Sequence, residues 1–278
     1  MAEEISMNVE QIEQTFLVPL PAQLSLSNLR GRVAVVAEDP NAENAPPSIS
    51  VTATKYLDSG DPEQTKVVMR QDADGRVVIQ TEHATIDEQG FHKPCRVEYQ
   101  LRVPRQCSAT LSCISCKLEI SGLQGEFWLK SVSGEMILKD LDGPIEASNV
   151  SGAILGQRLL GKGSFETTSG EMHLSQCNFS TLKITSVSGD LIVQTEPGPG
   201  PYRFKSISGD MTLILPELSS YRAELRSLSG QLLAPGSPAY GRILIGQRSV
   251  EVGSGGPLIQ AESISGNLYL PGKPPGEI

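Results

Sequence analysis

Aromatic residues make up only 5% of the sequence, with one tryptophan, and there are only 3 histidines, His83, His92 and His173, none with a signalled partner. Basic runs are missing as well: no stretch of Lys or Arg exceeds two residues, and the formal net charge is −9. Phosphate recognition needs a concentrated basic surface, so nucleic acid is excluded as a partner, and the same charge disfavours docking on an anionic membrane. No window approaches the roughly 18 consecutive apolar residues of a membrane-spanning helix, which argues against membrane insertion. The opening MAEEISMNVEQ is acidic and lacks the basic start and apolar stretch of a secretory signal, so a soluble, cytoplasmic chain is expected. The five cysteines, Cys95, Cys107, Cys113, Cys116 and Cys177, are an odd set without disulfide-scaffold spacing. Free thiols in a reducing compartment follow.

What is present is turn chemistry and repetition. The 278 residues are 38% hydrophobic and 20% charged, with 27 Gly and 19 Pro, a balance that makes turns frequent and points to an all-β chain. The segments CISCKL, SVSGEM, NVSGAI, TTSGEM, SVSGDL, SISGDM, SLSGQL and SISGNL align on anchors at Cys116, Gly134, Gly152, Gly170, Gly189, Gly209, Gly230 and Gly266. Successive anchors lie 18, 18, 18, 19, 20, 21 and 36 residues apart, the last interval being close to two units.

Each column of the repeat has a physical role. One before the anchor every unit carries serine: Ser115, Ser133, Ser151, Ser169, Ser188, Ser208, Ser229 and Ser265. Five before it every unit is apolar (Leu111, Leu129, Ala147, Phe165, Ile184, Phe204, Leu225, Ala261), and so is every unit two after it (Leu118, Met136, Ile154, Met172, Leu191, Met211, Leu232, Leu268). Alternation on both sides of the anchor is the signature of half-buried strands, with a corner between them. The residue two before the anchor, Ile114, Val132, Val150, Val187, Ile207, Leu228 or Ile264, is also apolar, so the parity is expected to slip there and turn it inward. Glycine tolerates positive φ and serine hydroxyls bond local backbone, which suits both to the corner. Cys116 breaks the glycine column and predicts a differently shaped first corner.

One unit of about 18 residues cannot bury its own apolar face, but stacked units can, at about 4.8 Å per layer. The fold expected is a β-solenoid, a single-chain β-helix-like stack of two-strand coils; the alternative is a two-sheet β-sandwich-like roll. Gly31, with Leu26 five before and Val33 two after, marks an early degenerate coil, and Asp74-Gly75 between strand-like runs is a hairpin signal. Residues 1–110 are expected to form irregular β coils with that hairpin, continuous with the solenoid. Residues 111–270 form the regular repeat, with SISGNL as its final coil, and 271–278 a Pro/Gly-rich tail that blunts the last edge. The acidic stretch from Asp39 to Pro47 reads as a loop.

The opening TFLVP, the early LRGRV, the VEYQLRVP run and the successive SxSGD/E corners together resemble the bacterial toastrack domains, the putative-adhesin family of unknown function. The resemblance runs from Thr15 to Leu270. It implies a β-solenoid, links of some members to envelope-stress or membrane-associated systems, and an adhesive role.

Candidate chemistry is thin. The serine column has no GxSxG elbow and no signalled base, so hydroxyl ladders are preferred to nucleophiles. Cys113 and Cys116 have CxxC spacing and, with His92, Cys95 and Cys107, outline a zinc proposal, but both occupy regular repeat columns, which favours small buried thiols. One after the anchor, Glu135, Glu171, Asp190 and Asp210 form an acidic column interrupted by Ala153; stacked carboxylates suit Ca²⁺, but the GGxGxD pattern is missing and a solvated acidic edge is preferred. Glu171, Asp190 and Asp210, with Cys113 and Cys116, are the metal candidates. Trp128 beside Lys130 is a candidate sugar or protein contact. No catalytic or cofactor-binding residue is assigned and no cofactor is expected. Gly134, Gly152, Gly170, Gly189, Gly209, Gly230 and Gly266, with Ser133, Ser188 and Ser208, are assigned as structural corners. The chain reads as a nonenzymatic scaffold that binds a protein partner or itself, with a glycan-binding adhesin-like module and a polysaccharide-acting enzyme as the other classes.

Overall fold

The structure, a computed structural model, describes residues 8–38, 46–84, 86–87, 90–91, 93–234 and 246–271. Residues 39–45 of the loop expected from Asp39 to Pro47, and all but the first residue of the Pro/Gly tail, lie outside the described residues. The chain divides into two compact units, Met1–Gly134 and Glu135–Ile278.

The second unit contains β11 (Met136–Asp142), β12 (Ile145–Ser151), β13 (Ile154–Ser169), β14 (Met172–Ser188), β15 (Leu191–Pro197) and β16 (Tyr202–Ser208). Beyond them come β17 (Met211–Ile214), β18 (Tyr221–Ser229), β19 (Leu232–Leu233), β20 (Gly246–Val252), β21 (Leu258–Ser265) and β22 (Leu268–Tyr269). Each coil supplies one strand before its anchor and one after it. Strands stack in parallel on their equivalents: β12 on the second half of β13, that on the second half of β14, and β14 on β16. The after-anchor strands repeat the arrangement through β11, β13, β14, β15 and β17. This is the β-solenoid, with an apolar interior shared by successive coils.

Its spine is the pair of apolar columns. Phe165 lies in register on Ile184, Ile184 on Phe204, and Phe204 on Ala261, all at most 2% exposed. Met172, Leu191, Met211 and Leu268 align in the same way on the other strands. Burying a side chain of this size contributes about 1.5–3 kcal/mol, and only stacking removes it from water on both sides.

Two expectations need correction. SISGNL is not the last layer: β21 pairs in parallel with β16 on one edge and β18 on the other, and β22 lies likewise between β17 and β19. The chain passes through the coil of β18, returns as β20 antiparallel to β18, and then enters the slot beneath it. The 36-residue interval is therefore a reversal of stacking order, which equal spacing of motifs cannot encode. The second correction concerns parity: the residues two before the anchor face outward, and those three before it (Asn149, Thr167, Ser186, Ser206) are buried. Alternation from the buried residue five before the anchor continues unbroken to three before it, so the slip falls at the anchor itself.

The first unit contains β1 (Val9–Leu17), β2 (Ala22–Ala37), β3 (Ser48–Tyr56), β4 (Thr65–Gln71), β5 (Val77–His83), β6 (Ile86–Asp87), β7 (Gly90–Phe91), β8 (Arg96–Val103), β9 (Cys107–Ser121) and β10 (Phe127–Ser133). β2 and β9 are parallel along their whole length, with Leu26 on Leu111, Gly31 on Cys116 and Val33 on Leu118, so β2 is a coil in register with the repeats. On its other edge β2 takes β5 before the corner and β8 after it. β3 pairs antiparallel with β8, and β1 antiparallel with β3. β4 and β5 form an antiparallel hairpin across Asp74-Gly75. Inside the Gly31 corner Asn28 donates to the Val97 carbonyl (2.9 Å), and Thr81 bridges Asn28 Oδ1 (2.9 Å) and the Tyr99 hydroxyl (2.7 Å).

Candidate interaction surface

The Ser-x-Ser-Gly corner has a division of labour. In three corners the serine three before the anchor closes its own corner: Ser131 Oγ donates to Ser133 O (3.4 Å), Ser186 Oγ to Ser188 O (3.3 Å) and Ser206 Oγ to Ser208 O (3.0 Å). The serine one before the anchor reaches the coil beneath, Ser133 donating to Ile114 O (3.2 Å), Ser188 to Thr168 O (3.5 Å) and Ser208 to Val187 O (3.5 Å). The glycine is demanded twice over. Gly189 has φ +115, and a Cβ there would lie 2.3 Å from the Gly170 carbonyl oxygen. Gly134, Gly152, Gly170, Gly209 and Gly266 also have positive φ; Gly230 does not, but its Cβ would lie 2.1 Å from Gly266 O. Cys116 has no positive φ, and its thiol sits 3.6 Å from Asn28 O, so the first corner is built differently.

Between the two serines the chain exposes an aliphatic side chain. In the second unit Val150, Val187, Ile207, Ile264 and Leu228 are 42% to 53% exposed, and the register of their strands lines them up with Thr168 in one row. Ile114 and Val132 occupy the same position in the first unit. Beside the row the face is polar, with Lys205 bonded to Glu262 (2.9 Å) and Lys183 near Glu166 (3.5 Å). Sequence reasoning missed this surface by turning the column inward; strict alternation from Ile184 through Ser186 would have found it.

The acidic column works as a backbone cap. Asp190 Oδ1 accepts from Asp210 N (2.9 Å), Asp210 Oδ1 from Asn267 N (2.9 Å), and Asn267 Oδ1 from Gln231 N (3.0 Å). Glu171 is exposed on its own coil. Among the described residues no group of three or more His, Cys, Asp or Glu is placed to hold a metal ion. Cys113 and Cys116 are brought together and both are buried; their mutual hydrogen bond holds the Cys113 thiol up, with burial adding to it, and draws Cys116 down. Cys107 and Cys95 do not join them. Cys107 Sγ lies 3.6 Å from Ser108 O, and Cys95 packs near Leu57 O (4.0 Å). Burial pushes Cys107 up to about 12 and Cys177 to about 11. His83 Nδ1 meets Thr65 Oγ1 (3.1 Å), His173 is exposed on β14, and His92 lies outside the described residues. Trp128 is partly exposed on β10.

Each unit also carries a concavity among its described residues. β17 stops at Ile214 while β15 runs to Pro197, and the step leaves a cleft of about 530 Å³ lined by Arg158, Gln176, Asn178, Glu196, Leu215 and Pro216. Arg158 is already held there by Asp140 (2.5 and 2.7 Å), and that pairing lowers the carboxyl of Asp140. In the first unit Arg32, Val36, Ser50, Gln100 and Arg102 line a concavity of about 730 Å³. Neither lining sets a histidine beside a nucleophile or pairs two carboxylates.

Parallel two-strand coils with serine-glycine corners define a β-solenoid. Residues 161–240 match the model of the Toastrack family DUF4097, which bears out the resemblance drawn from the corner motifs over that segment. The chain is similar to a solved putative adhesin from Bacteroides fragilis NCTC 9343, with TM-score 0.52 and 8% identity, covering 94% of this chain and 97% of that one. It is also similar to a putative adhesin from Parabacteroides merdae ATCC 43184 (TM-score 0.46, 11% identity, 94% and 96% covered). A putative lipid binding protein from Parabacteroides distasonis ATCC 8503 gives TM-score 0.43 and 11% identity, with 95% and 97% covered. At such identities the first likeness speaks for the fold alone. No curated protein matches the sequence. Among the described residues no helix is long and apolar enough to cross a membrane.

Proposed function

We propose that the chain is a noncatalytic protein-interaction scaffold whose second unit presents the aliphatic row to a protein partner. The carrying observation is that five of the six stacked corners (Val150, Val187, Ile207, Ile264 and Leu228, against Thr168) expose an aliphatic side chain that the fold does not bury. Strand propensity favours β-branched residues. It does not account for the row, because positions two residues earlier on the same face are Ser148, Glu166, Thr185, Lys205, Glu262 and Arg226. An exposed apolar strip flanked by polar residues, unbroken here from Val187 through Ile207 and Ile264 to Leu228, has the character of an interaction site, and the coil backbone beneath fixes its spacing at about 4.8 Å.

A photo-crosslinking residue placed at Val187 or Ile207 in cells tests this. A protein adduct formed from these positions, absent from Thr185 and lost when Ile264 and Leu228 are changed to Asp, supports the reading; equal adducts from Thr185, or none from the row, defeats it. The reading includes a link to bacterial envelope-stress or membrane-associated systems, supported by the family resemblance, and recovery of the adduct with membrane fractions tests that part. A reducing, cytoplasmic setting is supported by five buried free thiols and is tested by fractionation.

A further inference from the structure

The first unit ends on an open strand. β1 pairs with β3 along all nine residues, without a break in register, and among the described residues no strand pairs with its other edge. Edge strands of this length are normally blunted by proline, lysine, a bulge or a covering loop. β1, VEQIEQTFL, carries no proline, lysine, arginine or glycine, and no bulge.

The pairing fixes which backbone groups are free. Leu57 N donates to Asn8 O (2.9 Å) and Val18 N to Pro47 O (3.0 Å), so the even positions of β1 are the ones whose N–H and C=O face β3. In an antiparallel ladder the alternate residues point the other way. Val9, Gln11, Glu13 and Thr15 therefore present their backbone N–H and C=O groups to the open edge, while Leu17 O on the same side already accepts from Gln71 Nε2 (2.8 Å).

We propose that two copies of the chain join edge to edge through β1, antiparallel about a two-fold axis at Gln14. That register sets Glu13 opposite Thr15, whose hydroxyl can donate to the carboxylate, and Ile12 opposite Phe16. It also places Gln11 opposite Leu17, which is 65% exposed in the single chain. Centring the axis on Glu13 would bring two carboxylates face to face, an arrangement like charges disfavour. Opposed Gln14 residues form a pair that is not hydrogen-bonded across the new interface, with their Cα atoms about 4.5 Å apart. An isologous contact of this kind closes on itself.

Sedimentation and light scattering over a concentration series test the proposal. The unaltered chain is expected to be a dimer at tens of micromolar. Glu13→Pro removes an outward N–H without touching the β1–β3 ladder, and should weaken dimerisation at least tenfold with an unchanged melting temperature. Gln14→Cys, treated with diamide as the oxidant, should give a disulfide-linked dimer, whereas Gln11→Cys should not. A chain that stays monomeric at all concentrations overturns the proposal, as does a dimer that Glu13→Pro leaves intact or one in which Gln14→Cys fails to crosslink.

Discussion

At the residue scale the corner is where single atoms decide the fold. A methyl group at Gly189 would collide with the Gly170 carbonyl and would also have to adopt φ +115. Gly189→Ala should therefore destabilise the second unit by about 3 kcal/mol, read from the shift in urea midpoint at constant slope. Ser206→Ala removes one hydrogen bond to Ser208 O and should cost about 1 kcal/mol in the same assay. The thiols make a separate prediction. Cys107 and Cys177 ordinarily ionise near 9.0, but burial holds their native values at about 12 and about 11. The unfolded chain then loses these protons first, the native state binds more of them, and stability falls as pH rises from 9 through 11 and 12. Below pH 9 neither thiol contributes. Replacing Cys177 with Ala should flatten the alkaline limb of a stability–pH profile measured by denaturant melts.

At the scale of the element, register parity separates what builds the coil from what the coil displays. Ile184 and Val187 are three positions apart on one strand, both aliphatic, and a hydropathy pattern gives them equal weight. Ile184 is fully buried between Phe165 and Phe204, while Val187 is 42% exposed. Val187→Asp should change stability by less than about 0.5 kcal/mol, whereas Ile184→Asp leaves a charge in the core and should abolish folding of the second unit, as circular dichroism and thermal melts would report. The buried columns were legible in the sequence because every coil repeats them. The outward row was not, because the small polar residues three before the anchor do not look like core. Asn149, Thr167, Ser186 and Ser206 are buried because strand alternation turns them inward, and Ser186 and Ser206 meet their hydrogen-bonding needs with the carbonyls of Ser188 and Ser208.

For the whole molecule, the order of coils in the second unit has energetic consequences. Because β21 lies between β16 and β18, its segment is an inner layer of the stack, with a neighbour on each edge. Removing residues 257–278 should therefore strip ladder partners from both neighbours. Hydrogen exchange should show Tyr202–Ser208 and Tyr221–Ser229 losing protection together; if only the more distant strand were affected, the inserted position would be wrong. The same arrangement requires the coil of β18 to be met by a segment that arrives later in the chain. Its ladder to β21 therefore closes only after the intervening residues have been spanned, a loop-closure cost that sequential stacking avoids.

The sequence alone determined that this chain is a stack of two-strand coils. Strand alternation and a glycine at each corner are local demands, and a period of about 18 to 21 residues repeats them often enough to be read. It also determined the core columns, since Phe165, Ile184 and Phe204 must share one interior if the coils are in register. Three things were left to the tertiary structure: the outward direction of Val187 and Ile207, the insertion of the last coil, and the open edge of β1. Each depends on which segments meet in space, because the pleat, the partner strand and the free hydrogen-bonding edge are properties of a pairing and not of a single strand.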